Sequence, residues 1–206
     1  MKACEKCKLK FPDDTAACFI CGSSLAPIKD PRIGSIVNGR YLLEAAVGEG
    51  GMATVYAARH RLVDRPCAVK IMNAALAKNE VIRERFRREA KAAQKLAHPN
   101  IIEIFHQGEL PDGSLFLVME LLEGETLADL LFRGRIPLER ALPIAIQIAR
   151  ALARAHDLEV IHRDLKPENV FLAEWPEQSD FVKLLDFGIA RSMQDVRLTG
   201  AGEVFG

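Results

Sequence analysis

Asp164, Lys166, Asn169 and Asp186 are the residues best suited to chemistry on a phosphate. They fall in His162-Arg163-Asp164-Leu165-Lys166-Pro167-Glu168-Asn169 and Asp186-Phe187-Gly188. Phosphoryl transfer to a hydroxyl needs a carboxylate to orient the hydroxyl and accept its proton. It also needs cations where charge spreads and a divalent metal bridging the phosphates. Asp164 is the candidate base and Lys166 the cation beside the transferring group. Asn169 and Asp186, both hard oxygen donors, are the candidate ligands of Mg2+ or Mn2+. A lone Asp usually caps a helix or makes a turn, so the argument rests on the ordered set.

Two upstream features point to ATP. Gly48-Glu49-Gly50-Gly51-Met52-Ala53-Thr54-Val55 lies between strand-like segments. Gly48 and Gly50 let backbone approach triphosphate oxygens, and Val55 can cover a flat base. In Ala68-Val69-Lys70, strand alternation puts Ala68 and Lys70 on one face, small enough to admit adenine and charged to meet phosphates. Glu89 shares the apolar face of the next helix with Phe86 and Ala93, where an unpaired carboxylate is costly. Pairing with Lys70 resolves both needs; the alternative is a solvated face among Arg85, Arg88 and Lys91.

These residues need elements to hold them. Strand-like patterns cover Tyr41 to Val47, Thr54 to Arg59 and Cys67 to Ile71, then Ile101 to His106 and Leu115 to Glu120. Helical spacing covers Val81 to Leu96, Thr126 to Phe132 and Leu138 to Leu158, the last with Leu142, Ile146, Ala149 and Ala153 as its inward row. Short strands at Val170 to Leu172 and Val182 to Leu185 enclose Ala173 to Phe181, which reads as a surface insertion. The fold class is α+β.

The 206 residues are 49% hydrophobic, and 28 basic residues balance 28 acidic ones. That balance gives no sign of a nucleic-acid or anionic-membrane partner. No run approaches the roughly 20 apolar residues of a membrane span, and the start lacks a signal peptide's apolar core. The expected location is cytoplasmic. Cys67 stands alone in an apolar strand and reads as a small core residue. Cys4, Cys7, Cys18 and Cys21 form two Cys-x-x-Cys pairs, with Gly22 relieving the second turn. In a reducing compartment these four thiolates suit a structural Zn2+ in a small ribbon, and four ligands leave no open position. Whether such a module binds a protein partner or only caps the terminus stays open.

From about Tyr41 to Gly206 the residues resemble the Hanks-type, or eukaryotic-like, serine/threonine protein kinase family, bacterial members above all. Those often carry a string like Gly50-Gly51-Met52-Ala53. The resemblance implies two lobes with ATP between them, a β-rich lobe over residues 37–120 and a helical part over 121–206. The zinc module would occupy 1–25 and a linker 26–36. It further implies that Val47, Glu49, Gly51 and Phe171 line the nucleotide site with the residues above. Met119 would be the gatekeeper and Glu120 to Leu122 the hinge that bonds the base. Lys166 marks serine or threonine specificity. Ala93, Ile104, His162 and Phe187 would stack as the regulatory spine. Arg163 points to control by phosphorylation, with Thr199 the candidate acceptor.

The chain ends at Val204-Phe205-Gly206, inside what would be the activation segment. It is therefore expected to be a fragment that exposes hydrophobic surface and phosphorylates peptides weakly or not at all. The competing readings are a non-catalytic ATP-binding scaffold that uses the zinc module for interactions, and a small-molecule kinase of related fold. Lys166-Pro167-Glu168 between Asp164 and Asn169 speaks against the latter.

Overall fold

Alternation along the strand Arg65–Met72 organises the larger sheet. Cys67, Val69 and Ile71 join Val37, Tyr41, Leu43, Tyr56, Ala58, Phe116 and Val118 in one buried cluster. Met72, on the opposite face with Ala68 and Lys70, packs with Ala90, Leu115 and Leu117 in another. Both faces thus pack apolar side chains, and the second also carries the charged residue.

The computed structural model describes residues 2–4, 6–7, 9–11, 15–27, 30–50, 53–73, 76, 79–80, 83–84, 87, 90, 94, 96–175 and 178–187. Two compact units divide the chain at Ser35 and Ile36. In the smaller, β1 (Lys2–Ala3) pairs antiparallel with β2 (Lys10–Phe11) and β3 (Ala26–Pro27). Ala26 and Pro27, the start of the expected linker, are therefore strand residues.

The larger unit opens with β4 (Ile36–Val37), β5 (Tyr41–Glu49), β6 (Ala53–His60) and β7 (Arg65–Met72). With β8 (Ile104–Glu109) and β9 (Leu115–Met119) they form a six-stranded antiparallel sheet in the order β4-β5-β6-β7-β9-β8. Between β7 and β8, Glu80, Arg83, Glu84, Arg87, Ala90 and Gln94 are helical. Cys67 is 2% exposed, as its apolar strand implied.

Beyond the sheet follow β10 (Gly124–Thr126), α1 (Leu127–Phe132), α2 (Leu138–Asp157) and a 3-10 turn at Pro167–Asn169. The hairpin of β11 (Val170–Trp175) and β12 (Gln178–Leu184) closes the described part. Thr126 caps α1: its hydroxyl accepts from Asp129 N–H at 3.1 Å, and the Asp129 carboxylate accepts from Thr126 N–H at 3.1 Å. At Gly124 a Cβ would lie 2.2 Å from the Leu172 carbonyl oxygen, so glycine is what lets β10 approach β11.

Three expectations are corrected. Ala173 to Phe181 is not a loose insertion: Ala173 pairs with Phe181 and Trp175 with Gln178, so the hairpin continues through a bulge. On α2 the buried row is Ile144, Ala151 and Ala155, with Ile148 and Leu152 packed beside it, whereas Leu142, Ile146, Ala149 and Ala153 are exposed. The helix is apolar on two faces, and hairpin packing selects the other one. Ile101 to Glu103 lies outside β8, because Ile101 bridges in parallel to Leu184 of β12. The exposed row on α2 agrees with the expected hydrophobic surface. Among the described residues no helix is long and apolar enough to cross a membrane.

Polar side chains fasten β12 to α2. Gln147 Oε1 accepts from Val182 N–H at 3.0 Å and from the Asn100 amide at 2.9 Å, and Asn100 also donates to the Val182 carbonyl at 2.9 Å. Gln147→Leu keeps the volume but strands two buried donors. It should lower the unfolding free energy in urea by about 1–3 kcal/mol; an unchanged midpoint would show that the network is not needed.

Candidate functional site

Lys70 reaches across the molecule to Asp186. Its Nζ lies 2.6 Å from both carboxylate oxygens, with the side chains 17% and 34% exposed. Backbone pairing sets Lys70 opposite Val55 on β6 and Leu117 on β9. At the other end, Asp186 has φ of 48°, a left-handed conformation that an Asp adopts at modest strain and that turns the chain sharply after β12.

The turn carrying Asp164 is tied to the same point. Asn169 donates its side-chain amide to the Asp164 carbonyl at 2.8 Å and to its carboxylate at 3.0 Å. The Asn169 backbone carbonyl accepts from Leu185 N–H at 2.9 Å, next to Asp186. Lys166 Nζ stands 3.0 Å from the Asp164 carboxylate, and that hydrogen bond holds the ammonium pKa above its ordinary value. Asn169 is 7% exposed, while Lys166 is open to solvent.

His162 and Phe187 brace these loops from within. Their rings meet tilted at 46° with 4.5 Å between centroids, and His162 Nε2–H donates to the Leu185 carbonyl at 2.9 Å. Burial of His162, 2% exposed, lowers its pKa and keeps it neutral. Arg163 is exposed and left-handed, with φ of 61°.

The nucleotide-facing candidates lie around this centre. Gly48 pairs with Val55 and Glu49 with Thr54, and Gly50 N–H donates to the Ala53 carbonyl at 2.9 Å, which closes the tip of the β5–β6 hairpin. Val47 is exposed at 57%, whereas Ala68 is buried at 5% beside Met119, its partner in register. Met119, Glu120, Leu122 and Phe171 are half-buried. Gly51, Glu89, Ala93, Gly188 and Thr199 lie outside the described residues, so the expected Lys70–Glu89 pair and the top of the spine do too. No local sequence pattern signals the Lys70–Asp186 contact, which joins residues 116 apart. Nor does one signal Lys183 of β12, buried and 2.7 Å from Glu120, whose only trace is a lysine three residues before Asp186.

In the smaller unit the sulfurs of Cys4, Cys7, Cys18 and Cys21 all lie within 4.8 Å of one another. Cys4 Sγ is 3.5 Å from Cys21 Sγ and accepts from Cys7 N–H at 3.4 Å. Gly22, with φ of 67°, donates to the Cys18 carbonyl at 2.8 Å and turns the second pair. Hydrogen bonding within the cluster divides the thiols. Cys7, donating chiefly to Cys21, has its pKa pushed up to about 12, and Cys21, stabilised chiefly by Ser23, is lowered to about 6.

Comparison with known proteins gives consistent matches. The family model for the protein kinase domain matches residues 41–201. Among curated relatives, the serine/threonine-protein kinase pkn3 of Myxococcus xanthus is 41% identical over 186 residues, covering 87% of this chain and 34% of its own length. PknH of Mycobacterium tuberculosis is 42% identical over 183 residues, covering 88% of this chain and 28% of its own. PrkC of Bacillus subtilis is 38% identical over 175 residues, covering 84% and 26%. The chain thus spans about a quarter to a third of the length of these relatives. The crystal structure of the Mycobacterium tuberculosis PknI kinase domain superposes with a TM-score of 0.66 at 32% identity, over 76% of this chain and 63% of that one.

Proposed function

Since the chain belongs to the protein kinase family, we propose that it forms the nucleotide and metal centre of an ATP-dependent serine/threonine protein kinase. The observation that carries this is the convergence of Lys70 and Asp186, with Asn169 fastening the Asp164 loop beside them.

The side chains fit Mg2+ or Mn2+ with ATP. Asn169 donates its amide hydrogens to Asp164, so its side-chain carbonyl oxygen is the atom suited to a hard cation. Asp186 offers a carboxylate on the segment after β12, where Leu185 N–H bonds the Asn169 carbonyl. When bound, the ion neutralises charge on the phosphates. The chain's own residues do the rest. Lys70 holds phosphate oxygens, and the backbone of Gly48 and Gly50 lies over them. Val47, Val55, Ala68, Met119 and Phe171 enclose the base, which the backbone of Glu120 to Leu122 bonds. Asp164 orients the acceptor hydroxyl and takes its proton. Lys166, kept protonated beside it, faces the negative charge of the transfer.

The protein substrates carry serine or threonine, with Lys166 as the supporting residue. Glu89 remains the proposed partner of Lys70 once Asp186 turns to the metal, and Thr199 the proposed site of regulatory phosphorylation read by Arg163. The four clustered sulfurs hold a structural Zn2+ with a closed shell, and free cysteines in paired spacing fit a reducing, cytoplasmic compartment. The zinc module is a candidate surface for a protein partner.

In calorimetric titration, Mg2+ should raise the affinity of the chain for ATP about tenfold or more, and Asp186→Asn should remove that gain. Any phosphate transferred should appear on serine or threonine and vanish in Asp164→Asn. Equal affinity with and without Mg2+, or phosphotyrosine, would contradict the reading.

Metal analysis tests the small unit separately. About one Zn per chain is expected under reducing, metal-replete conditions, with loss of the metal in Cys18→Ser. A metal-free wild-type chain would rule the ribbon out.

A further inference from the structure

A buried ion pair outside the catalytic set joins three segments that the proposed reaction must keep in register. Glu120 Oε1 accepts from Lys183 Nζ at 2.7 Å and from Glu103 N–H at 2.8 Å. Glu120 N–H in turn donates to the Glu103 carbonyl at 3.1 Å. The same strap, residues 100–103, is bonded to β12: Ile102 N–H donates to the Leu184 carbonyl at 3.0 Å, and Leu184 N–H to the Asn100 carbonyl at 2.8 Å. Hinge, strap and β12 thus form a closed triangle, with Lys183–Glu120 as its side-chain edge.

The position of Lys183 gives that edge its consequence. It stands opposite Phe171 in the β11–β12 register, and directly paired residues share a face of a sheet. Its ammonium lies 5.8 Å from the Phe181 ring. Three residues further on comes Asp186. One side chain therefore connects the segment assigned to the base, the strand carrying the floor of the base site and the strand carrying the metal ligand.

Stability alone does not call for such a pair. The side chains are only 7% and 17% exposed, and buried pairs are commonly no more stabilising than apolar residues of the same size. What a charge pair adds is a fixed separation between its two ends.

We propose that Lys183 is a positioning residue: through Glu120 it fixes the distance between the hinge and Asp186, so that one nucleotide can engage the base site and the metal site together. This rests on the nucleotide-site reading above. Without the latch, each end still binds its own part of the ligand, but the two no longer reinforce one another.

The test compares adenosine, which needs only the base site, with ATP in the presence and absence of Mg2+, on the full 206-residue chain. The variants are Lys183→Met, Glu120→Gln and the double variant. Glu120→Gln keeps an acceptor for Glu103 N–H, so it tests the charge without emptying the site, and circular dichroism checks that each variant is folded. Each single variant should lower the Mg2+-dependent gain in ATP affinity about tenfold, and in Lys183→Met adenosine affinity should stay within about twofold. The double variant should lose no more than the worse single variant, because both remove one interaction.

An undiminished gain in the folded Lys183→Met or Glu120→Gln chain would overturn the latch. So would additive losses in the double variant, or adenosine and ATP affinity falling together in Lys183→Met. A wild-type chain that binds neither adenosine nor ATP would overturn the nucleotide-site reading itself, a different result from variants that match a binding wild type.

Discussion

Two opposite charges 116 residues apart in sequence, Lys70 and Asp186, meet at 2.6 Å, and the arrangement of the larger unit serves that meeting. Lys70 is aimed by strand alternation: with Val69 and Ile71 committed to the apolar cluster, the lysine between them must face the other way. Asp186 is aimed by its left-handed backbone and by what surrounds it, namely the contacting His162 and Phe187 rings, the His162–Leu185 bond and the Leu185–Asn169 bond. A partly exposed ion pair contributes little stability by itself. Its value lies in bringing a cation and a carboxylate together, the arrangement that the proposed phosphate and metal call for.

The site was more legible in the sequence than the packing that supports it. Asp164, Lys166, Asn169 and Asp186 sit close together in the chain or at the end of one strand, so type and spacing suffice to group them. The Lys70–Asp186 contact is long-range, and no local pattern encodes it. The α2 reading failed for a different reason. Both Leu142-Ile146-Ala149-Ala153 and Ile144-Ile148-Ala151-Ala155 have helical spacing, and periodicity defines a row without saying which of two apolar rows turns inward. The β11–β12 hairpin was undervalued because Trp175 and Pro176 look like a break; Ala173–Phe181 pairing and a bulge carry the ladder past it. Ile101 to Glu103 has strand-like residues but bonds to β12 and to the Glu120 backbone, a choice of neighbour that composition does not contain.

Polar side chains, more than the apolar cores, define the relations between elements here. Gln147 and Asn100 satisfy backbone groups of β12 from α2 and from the strap, and Lys183 with Glu120 joins β12 to the segment that follows β9. The cores tolerate small shifts, whereas hydrogen bonds and ion pairs fix direction as well as contact. In the smaller unit, whose buried cluster is Cys4 and Cys18 with Cys7 and Leu25 beside them, the same ordering role falls to the sulfur cluster.

The central claim is that metal and phosphate enter where Lys70, Asn169 and Asp186 converge, and paramagnetic relaxation tests it most directly. Substituting Mn2+ for Mg2+ with ATP should broaden the nuclear magnetic resonance signals of Lys70, Asn169 and Asp186 most and those of Ile36 and Val37, on the edge strand three strands from Lys70, least. Broadening centred elsewhere, or none at saturating nucleotide, would contradict the account.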